Sequence, residues 1–79
     1  METYFNVSVV LNGGLSSYDG DSFNEKGAHD LLNQFKRKID NLNDIDQKRI
    51  ISIEAFIDKV TIDDDEVVEM ELVYYEKFK

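Results

Sequence analysis

Two segments near the C-terminus of this chain carry apolar residues on both faces of a strand, and only one amphipathic helix is available to cover them. Between Ile50 and Val60, alternation puts Ile51, Ile53, Ala55 and Ile57 on one face and Ile50, Phe56 and Val60 on the other. In the last segment Val68, Met70, Leu72 and Tyr74 share a face, while Val73 and Tyr75 stand between glutamates on the opposite one. One helix shields one side of a sheet, so the second side is expected to meet a partner.

The 79 residues contain no proline, no repeat and no linker-like stretch, so a single domain spanning 1–79 is expected, near the lower size limit for folding alone. There is no cysteine, which removes disulfides and thiolate metal sites and points to a reducing compartment. Residues Met1 to Asn6 lack a basic segment followed by an apolar run, and no stretch approaches the roughly 20 apolar residues of a membrane span. A cytoplasmic location is the expectation. Nine Lys and Arg stand against 17 Asp and Glu, a formal charge of −8. That balance argues against direct binding of DNA, RNA or anionic lipid and favours a basic protein surface through long-range attraction.

Tyr4 to Leu11 alternates strictly, with Phe5, Val7, Val9 and Leu11 on one face, and predicts a half-buried strand. Asn12, Gly13 and Gly14 break it, and the stretch to Asp21 reads as a loop. Ser22 with Glu25 has the form of a capping box that opens a helix. Ala28, Leu31, Leu32, Phe35, Ile39 and Leu42 then follow helical spacing as one stripe, with Lys26, Asp30, Asn33, Arg37 and Asp40 opposite. Asp44 with Gln47 suits one further short turn. Strands over Ile50–Ile62 and Val67–Phe78, separated by Asp63, Asp64, Asp65 and Glu66, predict an antiparallel hairpin.

The expected fold is therefore α+β: one small domain, β-α-β-β, with a three-stranded antiparallel sheet in the order 1-3-2 and one helix on one face. A four-residue turn pairs Ile57 with Leu72, Ala55 with Tyr74, Phe56 with Val73 and Glu54 with Tyr75. It also sets Asp58 against Glu71, an unfavourable like-charge pair. Sliding by one residue would pair Lys59 with Glu71 but scramble the two faces. The helix stripe is expected to pack on Phe5, Val7, Val9, Ile51, Ile53, Ile57, Val68, Met70 and Leu72.

The open face of the hairpin combines Glu54, Asp58, Glu69 and Glu71 with Phe56, Val60, Val73 and Tyr75. Rings supply area to bury, and carboxylates accept charge-assisted hydrogen bonds from Arg or Lys. Glu54, Phe56, Asp58, Glu69, Glu71, Val73 and Tyr75 are the expected partner-binding residues. The Asp63–Glu66 run reads as a solvated turn, because consecutive carboxylates point apart. Asp19, Gly20, Asp21 and Glu25 depart from a calcium loop, with Phe23 at the fifth position from Asp19 and Asn24 where glycine is required. His29 lies at the edge of the helix stripe with no second metal ligand and no nucleophile to activate. Gly13 and Gly14 lack the lysine and hydroxyl residues of a phosphate loop. No catalytic, cofactor or metal site is expected, and the chain does not read as an enzyme.

The function expected from these features is that of an acidic protein–protein interaction module, a stoichiometric inhibitor or nucleic-acid mimic that docks on a basic surface. The second reading is a homodimer or larger homo-oligomer of structural or small-ligand-binding role, formed by pairing of open sheet faces. In element order alone that reading resembles the dodecins, whose flavin-stacking tryptophan this chain lacks, so flavin binding is not carried over.

Overall fold

In the computed structural model, which describes residues 1–79, the alternating N-terminal pattern forms β1, Glu2–Leu11. Three successive residues with positive φ, Asn12 (54°), Gly13 (68°) and Gly14 (112°), then reverse the chain within one 3₁₀ turn. The reversal returns Ser16–Ser22 along β1 as a strand, β2, where a loop was expected. No residue of this strand is fully buried, and Tyr18 alone brings an apolar ring to the core. The strand's polar side chains bond across to β1: Asn6 Nδ2 donates to Asp21 Oδ1 at 2.9 Å, and Ser8 Oγ to Asp19 Oδ1 at 2.9 Å. On the other face of β2, a Cβ on Gly20 would stand 2.8 Å from Leu31 Cδ2 and 3.3 Å from Phe35 Cζ, so the missing side chain is what lets a helix lie against this strand.

That helix is α1, Glu25–Asp40. Its cap is Asn24, whose side chain accepts from the Gly27 N–H at 2.6 Å, and not the expected Ser22, which is the last residue of β2. Arg37 and Lys38 occupy the last turn, where the helix dipole favours cations. A second helix, α2, spans Asp44–Arg49. Its cap is Asn43, which accepts from the Asp46 N–H at 2.9 Å. Asn12 then ties the exit of α2 to the end of β1, accepting from the Ile51 N–H at 2.7 Å and donating to the Arg49 carbonyl at 2.9 Å.

β3, Ile53–Asp63, and β4, Glu66–Lys77, complete one four-stranded antiparallel sheet in the order β2-β1-β3-β4. The α+β class holds, but the sheet has four strands, there are two helices, and the penultimate strand lies inside where the order 1-3-2 put the last strand. The extra strand is the reason. With β1 followed directly by a helix, the next strand would run parallel to β1 and need a crossover. Because β2 has already brought the chain back, α1 starts at the opposite end, and β3 enters antiparallel to β1 on its one free edge. The dodecin-like element order disappears with it.

The core lies between α1 and the sheet. Ala28, Leu32, Phe35 and Ile39 bury against Val7, Val9, Leu11, Ala55 and Ile57, with Ile50 closing the end. Ile51, Val68, Met70 and Leu72, expected beneath the helix, are all more than half exposed. Ile51 precedes the strand. The other three leave because of the first of two bulges in β4, at Val68.

Asp64 (φ 51°) and Asp65 (φ 63°) form a two-residue turn with both central residues left-handed, so the tip has the expected register, Asp63 opposite Glu66 and Ile62 opposite Val67. Val68 is then bulged out, and the register slides by one: Lys59 faces Glu71, Val60 faces Met70 and Asp58 faces Leu72. Val73 is bulged next, so Ile57 pairs with Tyr74 and Phe56 with Tyr75. The Asp58–Glu71 pair is avoided. Lys59 meets Glu71, and a second bulge restores Tyr74 to the helix side. The hairpin end extends the molecule to 45 Å along its longest axis, against 21 and 18 Å across.

Candidate functional site

Alternation from the helix-facing positions Val7, Val9, Ala55 and Ile57 assigns the uncovered face of the sheet. On β3 it presents Glu54, Phe56 and Asp58, and the register sets Tyr75 beside Phe56 and Leu72 beside Asp58. The Phe56 and Tyr75 ring centroids are 5.1 Å apart with planes tilted by 52°. The Tyr75 hydroxyl donates to Glu54 Oε2 at 2.7 Å. That bond, reinforced by slight desolvation and the carboxylate's charge, raises the tyrosine pKa above its ordinary value of 10.0. Phe56 is half-buried, while Tyr75 remains 47% exposed.

Of the seven expected docking residues, four therefore meet: Glu54, Phe56, Asp58 and Tyr75. Glu69 and Glu71 do not join them. The first bulge turns them to the other side of the hairpin, where with Lys59 and Thr61 they line a hollow of about 40 Å³. Val73 sits in the second bulge and packs against the helix-side core. In their place stand Met70 and Leu72, 61% and 55% exposed. β2 adds Asp19 and Asp21, held by Ser8, Ser17 and Asn6. The polar alternation Ser17, Asp19, Asp21 was the available signal for that second acidic strip.

Charge divides the molecule by layer. Residues 25–49, the helical layer and its links, carry six of the nine cations and five carboxylates; the strands and turns carry three cations and twelve carboxylates. On the open face the pairing places one lysine, Lys77, at the end beside Glu54. No group of three or more His, Cys, Asp or Glu side chains converges to hold a metal ion. His29 rests against the edge of the Tyr74 ring at 4.9 Å, half-buried at the margin of the core. No helix is long and apolar enough to cross a membrane. Comparison with family models, curated proteins and solved structures gives no match.

Proposed function

We propose that the chain is an acidic protein-docking module whose uncovered sheet face binds a basic protein surface. The observation that carries this reading is the Phe56–Tyr75 pair, anchored to Glu54 and sharing its face with Asp58 and, on the far side of β1, Asp19 and Asp21, on the more acidic layer of the molecule. Rings in such a setting bury area on contact and slow dissociation. The carboxylates attract Arg and Lys from a distance and accept their hydrogen bonds on arrival. A stoichiometric inhibitor or nucleic-acid mimic works in this way, its carboxylates standing where phosphates would stand on the partner's basic site.

The exposure of Met70 and Leu72 favours a second reading, a homodimer through the same face. Two variants separate the readings. Phe56→Ser with Tyr75→Ser removes rings, and Glu54→Gln with Asp58→Asn removes charge while keeping shape. With a basic partner captured and eluted between about 0.05 and 0.5 M salt, the ring variant dissociates faster, and the amide variant associates more slowly and loses salt sensitivity. For a homodimer followed by sedimentation the amide variant associates as well as the parent or better, because mutual repulsion is relieved. Parent-like behaviour of both variants in both assays rejects the face as a docking surface.

A further inference from the structure

β1 runs three residues beyond the end of β2. Glu2, Thr3 and Tyr4 pair with Ile62, Thr61 and Val60 of β3, whereas pairing with β2 ends at Phe5 opposite Ser22. Because β1 lies between β2 and β3, the flank of Glu2–Tyr4 that faces away from β3 has no strand beside it. The chain departs from the line of β2 at Phe23 to reach the helix cap at Asn24. The space left is an open cavity of about 530 Å³, lined by Glu2, Thr3, Tyr4, Asp21, Ser22 and Phe23. Phe23 at its lip is 92% exposed, so folding itself makes almost no use of the ring.

We propose that this notch is a docking slot for an extended, basic peptide segment of a partner protein, which adds to the free edge of β1 in line with β2. The proposal rests on the reading of the protein as an acidic docking module and names a second surface for it. Three features select the occupant. A bare strand edge offers backbone donors and acceptors, and three residues at about 3.3 Å each give an edge of roughly 10 Å, enough for a short extended segment. Glu2 and Asp21 supply charge of one sign, and no cation lines the cavity. Tyr4 and Phe23 supply ring surface on which a lysine or arginine stem and its charged head can lie. A second copy of this chain, itself at −8, would bring like charge to the same place.

The test is an amide-resolved NMR titration of the whole chain with acetyl-Lys-Val-Lys-Val-amide. The controls are the Glu-Val-Glu-Val counterpart and a lysine peptide N-methylated at alternate backbone positions. The lysine peptide should shift the amides of Glu2–Tyr4 and Asp21–Phe23, the glutamate peptide should shift neither, and N-methylation should weaken binding about tenfold by removing backbone donors. Phe23→Ala alters an exposed side chain and leaves the fold in place. It should weaken the lysine peptide about fivefold through lost ring contact. No shifts at about 5 mM peptide overturn the slot. Shifts confined to the Phe56–Tyr75 face also overturn it, and leave the proposed function standing. Shifts at Glu2–Tyr4 that grow with protein concentration alone assign the slot to a second copy and overturn the proposal. If the lysine peptide shifts the slot while both open-face variants behave as the parent, the slot survives and the open-face reading fails.

Discussion

The Tyr75 ring is held from two ends, by Phe56 across the strand pair and by Glu54 at its hydroxyl. Ionising that phenol would break the donated bond and set a second negative charge beside the carboxylate, which is why its pKa is raised. Any stabilisation linked to this shift is complete below the unfolded-state value and is lost as pH rises through the raised folded value. An ultraviolet phenol titration of Glu54→Gln should show the Tyr75 transition moving down toward the ordinary value. An unchanged transition would mean that the bond does not form in solution. Tyr74 repeats the arrangement on the other face, donating to Glu76 Oε1 at 2.7 Å with its pKa raised for the same reason.

Within the elements, the hairpin tip carries strain that its two aspartates relieve only in part. Asp64 and Asp65 both adopt left-handed backbone, which costs most residues with a Cβ about 1–2 kcal/mol, Asn and Asp less, and glycine almost nothing. Asp64→Asn with Asp65→Gly suits the same turn and removes two charges from a cluster of four carboxylates. The double variant should gain about 1 kcal/mol, read as a higher denaturant midpoint at constant slope. A lower midpoint would show that the turn differs from the one described. The tip register was legible in the sequence for this reason: a short acidic turn between two apolar runs leaves few ways to close a hairpin. The bulges left a fainter trace, in the apolar doublets Val67–Val68 and Leu72–Val73, where strict alternation lapses.

Across the whole molecule, a cluster of ten buried residues holds the helix to the sheet; in the hairpin end beyond them Val60, between Tyr4 and Met70, is the one buried side chain. A core this small leaves little reserve. Phe35 packs at its centre, stacked at 5.6 Å on Tyr18, so Phe35→Ala should cost about 3–5 kcal/mol, comparable to the whole stability of a small domain. His29→Ala removes one edge contact with Tyr74 and should cost about 1 kcal/mol. Thermal unfolding of the two variants compares them directly. Equal losses would contradict the placement of Phe35 at the core centre and His29 at its margin.

By itself the sequence determined the features that depend on local pattern: the alternation of β1, the helical stripe from Ala28 to Ile39, the hairpin and its tip, the shortage of cover for one face, and the acidic balance. Tertiary structure alone decided β2, the strand order and the membership of the open face. β2 is chosen by partners across the strand, Asn6 and Ser8, by Tyr18 stacked on Phe35 and by the fit of Gly20 beneath Leu31; the alternation of Ser17, Asp19 and Asp21 is polar and by itself does not separate a strand from a loop. Strand order follows from β2, because one extra reversal changes the end at which the helix begins. The face of each β4 side chain depends on two inserted residues, and with a repeat of two a single insertion exchanges inside for outside. Glu69 and Glu71 left the open face and Met70 and Leu72 joined it for that reason, with no change in the composition of the strand.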